Sequence, residues 1–506
     1  MEPKRILFLS LQGSMPPHQA GEAELMLQYA REGAEVHLLS CDAQLLSCRY
    51  NFTHQPVVCA TCEANCQRSA DVVGIPAANR HRISRALFPA TLEGELPRNT
   101  AELLTFEYEG VNVGRGVAAT CISLLRDHDL RPRSTHRDLI THELRNAVGA
   151  ARNYRKLLRE LQPSEVLVFN GRHVQCWPMV DLCQKLNVTW HTHEAGANLQ
   201  RYQLFPHSLP HSIETRRNMM VTGWRNADPA TRVEVAENWF RSRRAGTNTD
   251  DKVYVGQQRR GSLPPTFDPE LHNIVIFNSS EDEMKTIVEW ATPLYASQNE
   301  AIRRVIADTA GEGNLHVTLR IHPNLRTIDN QQTRELKELN APHLTVVAAD
   351  DPVDTYELMQ AADVVLTFGS STGIEATFWG VPSILLGHSF YEGQRAVYEA
   401  RDFDHLRELL NTRLLPPQPR ENTYPYALYV LTCGKPFEHL TVNARGRGRY
   451  GTESLQAGRK RQRSYHLKYA KYYPAWLRLH LNRVKRWPRR RDLKRRTDKK
   501  NYQQSS

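Results

Sequence analysis

Short apolar runs, each closed by a polar or glycine-bearing turn, recur along this chain, and between them apolar residues fall at helical spacing. Runs of the first kind read as buried strands and stretches of the second kind as helices. The first unit is a strand at Lys4–Ser10, a helix at Ala20–Glu32 with Ala23, Leu25, Met26, Leu27 and Ala30 inside, a stop at Gly33, and a strand at Glu35–Ser40. Residues 70–135 are less regular. Arg137–Leu161 is a long amphipathic helix ended by Pro163, and the strands Glu165–Phe169 and Val188–His191 follow, separated by a helix over 174–186. Residues 200–260 are mostly polar and helical, and Gly261–Pro269, with three prolines, is a loop. A second series then begins: strands Asn273–Phe277, His316–Ile321, Leu344–Val347 and Val364–Thr367, with helices over 296–309 and 354–360. Strand–helix alternation in two series predicts an α/β protein with two Rossmann-like domains, each a parallel sheet. The proline-rich stretch sets the expected division: 1–265, 266–440, and a remainder at 441–506.

The second series centres on residues 361–387. Val364–Thr367 breaks at Phe368-Gly369-Ser370-Ser371-Thr372-Gly373, a helix runs on through Phe378 to Gly380 and Pro382, and Val381–Leu386 is the next strand. A helix N-terminus directly after a strand directs free N–H groups at an anion, and hydroxyls add donors. The same residues also make an ordinary helix cap. The other strand ends favour the phosphate reading. Ser279 and Ser280 follow one strand, Arg320 and His322 (in Arg-Ile-His-Pro) end another, and all would lie on one sheet edge with Ser370, Ser371, Thr372 and Gly373. Such a cationic, hydroxyl-rich edge suits a phosphate leaving group. Glu375, one turn into the helix, is placed to accept ribose hydroxyls. In the first series the loop Gln12–His18 with Gly13, the turn Asn170-Gly171-Arg172-His173, and His193-Glu194 also stand at strand ends. They are either the opposite wall of a cleft or helix caps that neutralise one another. His191-Thr192-His193-Glu194 lacks a further ligand in the pattern, so it is not read as a metal site.

At 506 residues the chain exceeds what one core supports, and its composition, 40% hydrophobic and 24% charged, is that of an ordinary globular protein. No apolar run approaches the roughly 20 residues of a membrane span, and Ile6–Leu11 is too short for a signal-peptide core, so a cytoplasmic location is expected. The net charge of +11 is uneven: residues 441–506 hold 21 Lys+Arg against 3 Asp+Glu, which leaves −7 for the rest. The basic character therefore belongs to the last segment, and no nucleic-acid-binding core is implied. Within that segment Tyr473, Leu477, Leu481, Val484 and Trp487 are helically spaced among Arg478, Lys485 and Arg486. Docking on an anionic membrane face, RNA binding, and a disordered solubilising tail all fit this pattern. Cys41, Cys48, Cys59 and Cys62 fall close together, with Cys66 beside them, and are either a structural zinc clip or a group of unmetallated thiols.

Two Rossmann-like domains with the site between them resemble a GT-B glycosyltransferase. More narrowly, the SSEDE of 279–283, the RIHP of 320–323, residues 354–387, the FNGR of 169–172 and the HEAG of 193–196 are similar to bacterial capsule and surface-polysaccharide biosynthesis proteins. The resemblance implies transfer of a sugar from a nucleotide-activated donor, held by the second domain, to a glycan or lipid-linked glycan acceptor held by the first. Gly13, Asn170 and Arg172 would then face the acceptor. Hexosyl, Kdo and sialyl donors all stay open. So do a UDP-sugar 2-epimerase, a non-catalytic assembly factor and a CDP-glycerol-type glycerophosphotransferase, which share the fold or the His-Pro motif. The family typically works without a bound metal or other cofactor, so none is expected, and Glu194, then His193, is the expected base, with His322 beside the leaving phosphate. Ala195 stands where the family pattern has arginine.

Overall fold

The computed structural model describes residues 3–247, 254–282 and 284–470. The first sheet contains β1 (Arg5–Ser10), β2 (Glu35–Ser40), β3 (Arg80–Arg82), β4 (Glu165–Phe169), β5 (Thr189–Ala195) and β6 (Arg201–Pro206). The second contains β7 (His272–Phe277), β8 (Leu315–Arg320), β9 (Leu344–Val347), β10 (Val364–Thr367), β11 (Ser383–Leu385) and β12 (Tyr398–Glu399). A last strand, β13 (Lys435–Pro436), returns to the edge of the first sheet. The orders are β13-β6-β5-β4-β1-β2-β3 and β9-β8-β7-β10-β11-β12. Every pair in the second sheet is parallel, and in the first only β5–β6 and β6–β13 are antiparallel. The fold is thus α/β with two Rossmann-like sheets, as in the GT-B arrangement.

Strand burial explains the continuous apolar runs. β1 and β7 are buried over nearly their whole length, because parallel sheets are covered on both faces. Helix α1 (Pro16–Arg31) starts four residues earlier than the hydrophobic pattern suggests: Pro16 and Pro17 occupy its first turn, where proline's fixed φ and missing N–H cost nothing. Helices α2 (Pro56–Val73) and α3 (Gly114–Leu125) lie where the hydrophobic pattern predicts no element. Helix α4 (Arg137–Leu161) buries Ile140, Leu144, Ala147, Ala151, Tyr154 and Leu158 on one face, and ends where Gln162 turns left-handed (φ 48°) before Pro163.

The division of the chain differs from the expected one at the C-terminal end. Helices α5 (Ile213–Asn226) and α6 (Arg232–Ala245) precede the proline-rich stretch, yet Trp239 and Phe240 of α6 pack with Phe378 of the second half and with Tyr424 and Leu428 of a later helix, Tyr424–Thr432. From there the chain crosses back to the first sheet. Residues 441–454 form a small three-stranded sheet, and α7 (Arg459–Ala470) lies along α2, joined to it by the Arg461–Asp71 ion pair and to the turn after β2 by Lys468–Asp42. The buried carboxylate of Glu24 fixes this crossing by accepting the backbone N–H groups of Glu438, His439 and Leu440. Residues 441–470 are therefore part of the first body, not an amphipathic or disordered tail. The helically spaced residues from Tyr473 to Trp487 lie outside the described residues.

Candidate functional site

Register places the second sheet's strand ends together: Phe277 pairs with Arg320 on one side and with Thr367 on the other. Asn278, His322 and Ser370 leave the sheet at that common edge, and a cavity of about 580 Å³ opens above it against residues of the first half. From the second half Arg320, His322, Ser370, Ser371, Thr372 and Glu375 line it, and from the first Arg49, Ser123, Arg126, Arg172 and Arg243. A second cavity of about 390 Å³ adjoins it, sharing Tyr254, Gln258, Arg320, Pro323 and Asn324.

The glycine-bearing turn is held from three sides. Ser370 Oγ accepts the N–H of Thr372, Thr367 Oγ1 accepts the N–H of Ser370, and Tyr391 donates its hydroxyl to the Ser370 carbonyl (2.6 Å). The helix that follows, α-helical over Ser371–Phe378, sits tightly on the sheet because residue 373 has no Cβ: one there would lie 2.5 Å from Thr367 Cγ2 and 2.6 Å from the Tyr391 hydroxyl. Gly373 is thus a packing residue and does not line the cavity. Thr372 Oγ1 is buried with no partner among the described residues, so a donor-acceptor group stands open at the helix start.

His322 is a neutral donor. Its Nδ1 accepts the N–H of Asn324 (3.1 Å), which leaves the ring proton on Nε2. Burial, with the nearby Arg320 and Arg126 charges, lowers its pKa to about 4. Its own backbone N–H is fixed by Asn278 Oδ1 at 2.8 Å. Arg320 lines both cavities and is also tied to the backbone. Only 2% exposed, it donates to the carbonyls of Ala348 and Asp351 and so clamps the loop after β9, while its Nε has no partner among the described residues.

Glu375 is not free for a ribose. Its carboxylate accepts from Tyr356 and from Ser371 Oγ (2.9 Å), and lies 3.1 Å from Arg243 Nη2 of α6. Ser279 and Ser280 do not line the cavity. Gln298 binds Ser279 through both its N–H and its hydroxyl, and Ser280 is taken by Asp282 and Arg126. Their neighbours Asn278 and Asp282 face the cavity instead, because the chain after β7 folds back against the second half's own helices.

On the first half, Arg172 reaches the cavity and Gly13, Asn170, His193 and Glu194 do not line it. β5 runs four residues past the expected end, and His193 and Glu194 pair in register with Leu204 and Gln203 of β6. Glu194 accepts from Asn170 Nδ2 (2.9 Å) and faces His18 Nδ1 at 3.4 Å. His193 is 1% exposed, its pKa pushed down to about 3 by burial. Neither is poised over the cavity as a base. A Cβ at Gly13 would meet Cys66 Sγ at 2.6 Å, so this glycine lets the first loop close on α2. Cys41, Cys48, Cys59 and Cys62 surround a void of about 30 Å³, and among the described residues no group of three or more His, Cys, Asp or Glu is placed to hold a metal ion.

Arg49, Arg126, Arg243, Tyr254 and Tyr356 carry no motif in the sequence. Arg126 caps α3 in a left-handed conformation (φ 56°) and pairs with Asp282 across the two halves. An isolated arginine ending an apolar helix was the one available signal.

No family model matches the chain, and no curated protein matches it. Solved structures do. A Thermosulfurimonas dismutans KpsC beta Kdo 2,4 transferase is 13% identical, with 53% of this chain and 80% of that chain covered and a TM-score of 0.36. A putative UDP-N-acetylglucosamine 2-epimerase from Listeria monocytogenes is 10% identical over 87% of this chain and 93% of its own, with a TM-score of 0.22. The glycosyltransferase SnogD from Streptomyces nogalater is 13% identical over 84% and 95%, with a TM-score of 0.23. At these scores the likenesses carry no argument, and the fold rests on this chain's own strand order. Among the described residues no helix is long and apolar enough to cross a membrane.

Proposed function

We propose that this protein is a metal-independent glycosyltransferase that takes a nucleotide-activated sugar in the 580 Å³ cavity and passes the sugar to a glycan acceptor of the capsule or surface-polysaccharide kind. The observation that carries this reading is the alignment of the His322 imidazole, the Ser370–Thr372 turn and the unpartnered Thr372 hydroxyl on one sheet edge, with an arginine-bearing wall opposite. As the sugar–phosphate bond breaks, negative charge grows on the leaving oxygen. His322 Nε2–H and the helix start of Ser371–Phe378 are fixed donors for it, and they need no reorganisation because Asn324 and Asn278 hold the His322 ring and backbone. The phosphates at the turn leave the adjoining cavity, with Tyr254 and Gln258 shared, to take the nucleoside. Asp282 and Glu375 are held by Arg126 and Arg243 and serve as scaffold.

The test is thermal denaturation of the full chain with CMP, CDP, UDP and GDP and their sugars. One nucleotide should raise the midpoint through preferential binding to the folded state. If none does, the donor assignment is wrong. Interconversion of a free UDP-sugar without acceptor would instead identify an epimerase.

A further inference from the structure

Cys41, Cys48, Cys59, Cys62 and Cys66 line a void of about 30 Å³, room for a molecule of about the size of water, and none of them lines the 580 Å³ cavity. Cys62 and Cys66 stand four residues apart on one face of α2, and their thiols hydrogen-bond to each other. Both sulfurs meet the chain as it leaves β1. Cys62 Sγ lies 3.8 Å from Leu11 O, and Cys66 Sγ lies 3.7 Å from Ser10 O and 3.6 Å from Ser10 Oγ. A Cβ at Gly13 would stand 2.6 Å from Cys66 Sγ, so the loop is closed directly on the pair. The two thiols are unequal. Cys62 is half-buried and accepts from the Cys66 S–H and from the N–H groups of Ser14 and Gly13, which hold its pKa below the ordinary thiol value. Cys66 is buried, and its hydrogen bond to Cys62 keeps its proton in place, while burial raises the pKa of each of the other seven cysteines. Donors gathered around one sulfur favour the thiolate there, and the thiolate is the nucleophilic form.

We infer that Cys62 and Cys66 form a peroxide-reactive thiol pair whose oxidation releases the loop after β1 from α2. The Cys62 thiolate attacks hydrogen peroxide: an S–O bond forms, the O–O bond breaks, and the departing hydroxide takes up a proton and leaves as water. The Cys66 sulfur then attacks the Cys62 sulfenic acid: an S–S bond forms, the S–O bond breaks, and the hydroxyl leaves as water with the Cys66 proton. The thiols lose two electrons and the peroxide gains them. Residues four apart on a helix hold their Cβ atoms about 5–6 Å apart, whereas a disulfide spans about 3.5–4.5 Å, so closure opens this turn of α2 and gives a bond that is readily reduced. It also draws both sulfurs away from Ser10 and Leu11. The loop they hold leads to His18, which packs on Phe169 with ring centroids 4.2 Å apart and faces Glu194.

The reduced full chain is treated with equimolar hydrogen peroxide, alkylated with iodoacetamide, cleaved with trypsin and mapped by mass spectrometry. The fragment 50–68 contains Cys59, Cys62 and Cys66. It should lose two hydrogens and carry its one alkyl group on Cys59, and the oxidised protein should melt at a lower temperature that dithiothreitol restores. Cys62→Ser should leave every remaining thiol alkylated. Cys66→Ser should stop at a Cys62 sulfenic acid that dimedone traps. Full alkylation of Cys62 in the treated wild type overturns the inference. So does a disulfide that joins Cys62 to Cys48 or Cys59, or oxidation that persists in Cys62→Ser. An unchanged melting temperature on oxidation overturns release of the loop. The wild-type map decides the pairing even if a variant does not fold.

Discussion

Arg243 Nη2 of α6 lies 3.1 Å from Glu375 Oε1, joining a helix that precedes the proline-rich stretch to the helix that follows the turn at 368–373. Both residues are buried, at 8% and 2% exposure, and Ser371 hydrogen-bonds to each of them. The pair therefore connects the mutual placement of two elements to the position of Ser371 on the cavity wall. Arg243→Ala leaves Glu375 as a buried charge without its cation, which should cost about 3–5 kcal/mol. Urea denaturation should show a lower midpoint. Glu375→Gln in the Arg243→Ala background should recover part of the loss, and no recovery would place the cost elsewhere.

His322 and Arg320 are two residues apart and should respond oppositely. His322→Ala should lower transfer about 10²–10³-fold, as for loss of one preorganised donor, while the lost Asn324 N–H cap costs only about 1 kcal/mol of stability. Arg320→Ala removes the clamp on the Ala348 and Asp351 carbonyls and should destabilise the fold by about 2–3 kcal/mol. Activity and thermal melts on both variants check the contrast. A His322→Ala protein with wild-type turnover would remove His322 from the site.

Gly373→Ala forces a methyl to within 2.5 Å of Thr367 Cγ2 and 2.6 Å of the Tyr391 hydroxyl. The overpacking should cost about 1–3 kcal/mol and displace the helix start, so nucleotide binding should weaken together with stability. Isothermal titration and thermal melts on the one variant report both. Weakened binding at unchanged stability would mean that the glycine meets ligand directly.

Glu22 is buried against Ser10 and Gln12, and burial pushes its pKa up to about 7. The folded state holds this proton while the unfolded chain releases it near pH 4.5. Its contribution to stability is thus complete below pH 4.5 and is lost as the pH rises to about 7, by about 3 kcal/mol in all. His193 and His322 act in the opposite sense: with pKa values of about 3 and about 4 they favour the folded state as the pH rises toward 6.5. The informative quantity is therefore the difference between wild type and Glu22→Gln at each pH. It should grow in favour of the variant between pH 5 and 7.5, and a flat difference would show that Glu22 ionises normally.

Much of the architecture was legible from local pattern. β1, β2, β4, β7 and β10 fall at or within a residue of the apolar runs, since a strand covered on both faces has no polar alternation to blur it. β6 was not legible, because Arg201–Pro206 is half polar and sits near the sheet's antiparallel edge. Its pairing is what carries His193 and Glu194 along the strand and away from the cavity. That residues 370–372 and His322 share one sheet edge was legible through their place at strand ends, and they line the cavity there. Ser279, Ser280 and Glu375 were misread because each has a side-chain partner from a distant segment that its neighbours in sequence do not announce: Gln298, Arg126 and Arg243.

The chain by itself determined two strand–helix series and the turn at 368–373, because hydrophobic spacing, glycine and proline act over a few residues. Tertiary structure alone decided which charges meet. Arg49, Arg126, Arg172 and Arg243 come from four separated segments of the first half and converge on one cavity, and residues 435–470 return to the sheet where the chain began. Long-range pairing of this kind depends on packing and desolvation across the whole fold, and those forces leave no periodic mark on the sequence.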